Sequence, residues 1–245
     1  MNEFRFCTRA MSPAIFAVIL ALFGLVGAGR TQGATAFSRR PPQRRERIEQ
    51  LEKLLHGRQQ DPKILMALGK EFTLLYHDSH EVFDHDQAKR YLEKTLFYRS
   101  NEPEPRGWLA LLTGLQARDM DGITAKSTAL SSLDSFDRLI EADGKNPLIR
   151  VLRALFSMGV PRTWGRLDQA LDDLLLVEYA VKRDPAVIEK FGLDLAMVYL
   201  KLGKIYLARS DRERARDYLE KATKGPDPYH AQKAGYLLTR HFPVR

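Results

Sequence analysis

The chain has 245 residues, with 39 Lys and Arg against 31 Asp and Glu, a formal charge of +8. One cysteine, Cys7, excludes both a disulfide framework and a cysteine-ligated zinc ribbon. With 29% charged and 44% apolar residues, the chain is neither a multi-span membrane protein nor a disordered one.

The first 36 residues differ in class from the rest. Arg5 and Arg9 stand against Glu3, and Ala14–Ala28 then runs without a charge. Small and polar residues follow, ending in Ala34-Thr35-Ala36. That order predicts a secretory signal peptide cleaved after Ala36 or after Ala28. Cys7 precedes the apolar run, so it is not a lipoprotein's acylated cysteine. Residues 37–47 form a basic linker in which Arg39, Arg40, Arg44, Arg45 and Arg47 are relieved only by Glu46. Positive charge beside an apolar helix tends to stay cytoplasmic. The alternative is therefore an uncleaved inner-membrane anchor, residues 14–28, with the helical domain in the cytoplasm and Arg39–Arg47 against anionic lipid. Removal of residues 1–36 would leave a cysteine-free body of 209 residues with 36 basic and 30 acidic side chains, net +6.

Residues 48–245 read as one all-α domain. Apolar residues recur at three and four, as at Ile48, Leu51, Leu54 and Leu55, and at Leu171, Leu174 and Leu175. Pro and Gly fall between periodic stretches, which predicts nine or ten helices of about 12–18 residues.

Several windows share a finer spacing. Leu65, Leu68, Gly69 and Phe72 are followed by Ala88, Leu92 and Thr95, across a turn read as about seven residues too long. Trp108 and Leu111 precede Ser135, Leu139, Ala142 and Pro147; Leu152 and Leu155 precede Val177, Ala180 and Pro185. The last window is the sharpest: Tyr199, Leu202, Gly203, Tyr206, Ala215, Leu219, Ala222 and then Pro226 and Pro228. Gly203 and Ala215 are small where two helices would cross, and Tyr199, Tyr206 and Leu219 are large around that crossing. Ser210 or Asp211 is placed to cap the second helix.

This series resembles the tetratricopeptide (TPR) repeat, a 34-residue helix–turn–helix unit. The resemblance covers about residues 44–245 and implies a right-handed α-solenoid of about four repeats. The prolines at 103, 147, 185 and 228 lie further apart than 34, so the middle repeats carry insertions. In TPR proteins the first helix of each hairpin lines a concave groove that binds partner segments. The resemblance places Lys63, Lys70, Arg106, Arg150, Arg153 and Lys204 there, interleaved with Met66, Leu109, Met197 and Leu200. A basic groove with apolar patches suits an acidic or C-terminal peptide. The competing reading is a solvated helix face. The asparagines of carboxylate-clamping TPRs are missing from beside these lysines.

His77, His80 and His85, interleaved with acids in the long turn of the first repeat, offer ligands for Zn, Ni or Cu, although no metalloprotein motif frames them. Trp164 is either a recognition anchor or a plug beneath a loop. No nucleophile elbow, phosphate loop or dinucleotide fingerprint is present, so neither an enzyme nor a cofactor is expected. Nor is a nucleic-acid partner expected, since the positive charge is spread and no motif frames it. The sequence thus predicts a non-enzymatic, exported or periplasmic scaffold of the bacterial-type cell envelope. Its partner would be a protein or peptide. The alternative is an accessory ligand-binding protein of a transport system, taking a small acidic solute or a metal.

Overall fold

The computed structural model describes residues 37, 39–58 and 60–243. The predicted signal peptide or anchor lies outside the described residues. The chain divides into units 1–34 and 35–245, and every helix named below belongs to the second unit. Among the described residues no helix is long and apolar enough to cross a membrane.

The described residues hold eleven α-helices, two short 3-10 turns and no strand. The helices are α1 (Pro41–His56), α2 (Pro62–Ser79), α3 (Val82–Tyr98), α4 (Pro103–Gln116) and α5 (Gly122–Ala142). They continue as α6 (Pro147–Ser157), α7 (Arg166–Arg183), α8 (Ala186–Phe191), α9 (Leu195–Ala208), α10 (Arg212–Thr223) and α11 (Pro228–His241).

Starts are set by caps. Asp61, Asn146 and Asp227 each accept a backbone N–H of the next turn, and proline follows each at the first helical position. Asp194 and Asp211 cap α9 and α10 in the same way. The choice between Ser210 and Asp211 is thereby settled: Asp211 caps, while Ser210 takes the left-handed turn conformation at φ 62°.

Consecutive helices pack as hairpins, α2 with α3, α4 with α5, α6 with α7 and α9 with α10. First helices also contact one another, α2 with α4, α4 with α6 and α9 with α11. The crossing in the last hairpin is as tight as its sequence requires. A Cβ added at Gly203 would lie 2.7 Å from Leu219 Cγ, so α9 and α10 meet there only because position 203 has no side chain. Around this point Tyr206 stacks on Tyr218 at 5.5 Å, and the Tyr218 hydroxyl donates to buried Glu178 on α7 at 2.8 Å.

Three expectations change. The first repeat has no long turn: α2 and α3 run 18 and 17 residues with only His80 and Glu81 between them, and the extra length is helix. The insertion ahead of the last hairpin is the six-residue helix α8. The stretch 37–47 is not a free linker. Helix α1 begins at Pro41, and Arg44 is buried, donating to Glu71 on α2 at 3.0 Å.

Candidate functional site

A cavity of about 270 Å³ lies among the first helices of successive hairpins. Its walls come from α2 (Leu74, His77, Asp78), α4 (Leu111, Leu115), α6 (Leu155, Phe156), α9 (Met197, Lys201) and α11 (Tyr229, His230, Lys233). Helices α3, α5, α7 and α10 contribute none of the lining.

The N-terminal stretch closes one side. Phe37 lines the cavity and stacks on Trp108 of α4 at 5.6 Å. Arg39 and Arg44 both reach Glu71. Burial raises the Glu71 carboxyl above its usual range despite the two guanidiniums, and burial likewise lowers Arg44.

Another part of the wall is cationic. Lys201, partly buried in the wall, has no carboxylate within ion-pair reach among the described residues. Burial, then repulsion from Lys204 and Lys233, lowers its pKa to about 8. The Lys233 ammonium contacts the Tyr229 hydroxyl and lies 4.1 Å from that ring's centre. Among the described residues Arg118 donates to two backbone carbonyls, those of Leu115 at 3.1 Å and His77 at 3.4 Å. The site thus offers positive groups over an apolar floor, a surface suited to a carboxylate.

At the α11 edge, His230 Nδ1 lies 2.7 Å from Asp194 Oδ2 and 2.7 Å from Asp227 Oδ2. Burial opposes ionisation of Asp194, but hydrogen bonds from His230 and Asp227 outweigh it and lower its pKa. Burial and the Asp194 hydrogen bond raise that of Asp227.

None of the six predicted groove cations lines the cavity. Lys63 and Arg106 are exposed in the first turns of α2 and α4. Lys70 pairs with Glu104. Arg153 is buried and bound to Asp173 and Asp137 at 2.7 Å, and Arg150 shares Asp173 at 2.7 Å. Lys204 lies one turn beyond Lys201 and lines a separate cleft with Ser157 and Met158. Of the apolar positions predicted with them, Met197 does line the cavity.

The histidine turn does not assemble. His77 pairs with Asp78, His80 with Asp119 and His85 with Asp86, each through Nδ1 and each with a different carboxylate. Among the described residues, three potential metal ligands converge only at Asp194, Asp227 and His230. Trp164 is half-buried and packs against the core, as a plug would.

Spacing alone missed Lys201, Lys233 and the Asp194–Asp227–His230 set. A signal for Lys201 existed, because it is one of only two charged residues in α9, whose other positions are all apolar or glycine. The two aspartates are equivalent caps of first helices, thirty-three residues apart, about one repeat period.

The chain matches no family model and no curated protein. Among solved structures it is similar to the crystal structure of MamA protein, at 16% identity and a TM-score of 0.38, over 81% of this chain and 85% of that chain. A likeness at this level defines neither a family nor a function.

Proposed function

We propose that this protein is a TPR-type, right-handed α-solenoid that acts as a non-enzymatic scaffold and takes an acidic segment of a partner protein in the cavity among its first helices. One observation carries this reading: Lys201 lies in an apolar-floored cavity with no counter-ion among the described residues. Leaving a partly buried ammonium unpaired costs free energy, and a carboxylate from a partner would recover it. Lys233 and Arg118 add to the same field. The basic, apolar and small-residue order of residues 1–36 supports delivery to the cell envelope.

A fluorescein-labelled glutamate-rich peptide, titrated by anisotropy against wild type and Lys201→Glu, tests the reading. Wild type should bind it, and Lys201→Glu should weaken binding about tenfold or more, the order expected for one charge-assisted hydrogen bond. Equal binding by both proteins removes the assignment. Binding of free glutamate as tightly as the peptide would favour a solute-binding accessory protein instead.

A further inference from the structure

We propose that Asp194, Asp227 and His230 form a divalent-metal site, with Zn2+ as the best-matched ion, joining the starts of α9 and α11. The reading starts from an excess of negative charge. Asp194 is buried and Asp227 is half-buried, and one oxygen of each approaches the same imidazole nitrogen at 2.7 Å. A single Nδ1 proton cannot satisfy two carboxylate oxygens fully. Lys201 and Lys233 line the cavity that His230 borders, yet neither forms an ion pair with these carboxylates. A doubly charged ion in place of that Nδ1 proton would bind all three groups and neutralise both oxygens.

The geometry matches such an ion. The three ligand atoms lie within 4.8 Å of one another. Zn2+ bonds of about 2.0–2.2 Å to N and O set tetrahedral ligand atoms roughly 3.4 Å apart, so the two 2.7 Å contacts need open by less than about 1 Å. The outer oxygens are already fixed: Asp194 Oδ1 accepts from the Met197 amide at 3.0 Å and Asp227 Oδ1 from the Tyr229 amide at 2.9 Å. Those bonds hold the inner oxygens in place, as outer-shell partners do at metal sites. An imidazole with two carboxylates and no thiolate suits Zn2+ ahead of softer ions. His230 also borders the cavity, so a carboxylate entering it is a ready further ligand.

The test uses the full chain with Cys7→Ser, stripped with EDTA and titrated with ZnCl2 by calorimetry. MgCl2 serves as control. One equivalent should bind, with Mg2+ not competing. Asp227→Asn keeps an N-cap acceptor and removes the ligand charge, and it should lower Zn2+ affinity at least about tenfold. The triple variant His77→Ala/His80→Ala/His85→Ala should bind as before. Co2+ loaded into the Cys7→Ser chain should give visible bands of a four- or five-coordinate N/O site, a readout independent of the ligand variants. Absence of a stoichiometric Zn2+ site, or uptake unchanged by Asp227→Asn, overturns the proposal, as does uptake lost in the triple histidine variant.

Discussion

The ring of Phe37 stacks on the indole of Trp108, with centroids 5.6 Å apart and planes inclined by 23°. The beginning of the described chain therefore forms part of the wall of its own cavity. Trp108 is only 1% exposed, although it stands on a helix that faces that cavity. With Trp164→Phe to leave one reporter, Phe37→Ala should shift Trp108 emission to longer wavelength and raise quenching by acrylamide. An unchanged spectrum would mean that other groups shield the indole.

The close approach of α9 and α10 at Gly203 gives a second expectation. A valine there drives a branched side chain into Leu219, and the Ala215 carbonyl already lies 3.3 Å from the added Cβ. Overpacking of this kind costs about 1–3 kcal/mol. Gly203→Val should lower the urea midpoint accordingly. Gly57→Ala, where an added Cβ meets nothing within 4 Å, should leave it nearly unchanged.

Lys201 makes stability depend on pH in a defined direction. Its pKa is lowered to about 8 in the folded chain, from 10.5. Between these values the unfolded chain holds the proton and the folded chain does not, so the Lys201 contribution to stability rises with pH across that window. Below about pH 8 both states are charged and the folded state bears the burial cost. Lys201→Met should therefore be more stable than wild type at about pH 7, by on the order of 2 kcal/mol. The difference should shrink towards about pH 10. A constant gap in denaturation midpoints across that range would contradict the assigned burial.

The arginines of α6 give a fourth. Asp173, 1% exposed, accepts from Arg150 and Arg153, so its loss removes the carboxylate that Arg150 binds and leaves Arg153 with Asp137. Asp173→Ala should cost about 3–5 kcal/mol in chemical denaturation. Arg153→Met combined with Asp173→Leu should cost less than Asp173→Ala alone, because the buried Arg153 guanidinium is removed together with its partner. Equal losses would indicate that packing dominates over charge.

Legibility in the sequence differed between fold and site. The last hairpin is the most readable part, because its constraints are local: Gly203 against Leu219 and a cap at Ser210 or Asp211 lie within one helix pair, while the Tyr218 partner of Tyr206 shows only in the structure. The histidine segment misled, since His77, Asp78 and Ser79 look like turn residues yet extend α2, whose buried Tyr76 holds that final turn against the rest of the fold. The groove cations misled for another reason. Spacing fixes which way Arg150 and Arg153 point from their own helix, but Asp173, which neutralises them, arrives from α7 some twenty residues later. Asp194 and Asp227 meet only because the N-terminal caps of α9 and α11 come together, and that requires the two helices to pack side by side.

The ammonium of Lys201 is where the proposed binding function can be watched directly. Selective isotope labelling of lysine and a pH titration of the Lys201 side-chain resonance, assigned with Lys201→Met, would report its pKa with and without a saturating glutamate-rich peptide. A carboxylate docking on the unpaired ammonium should move the titration from about 8 upward by at least about one pH unit. A midpoint that stays near 8 with the peptide bound would place the acidic segment elsewhere and contradict the account.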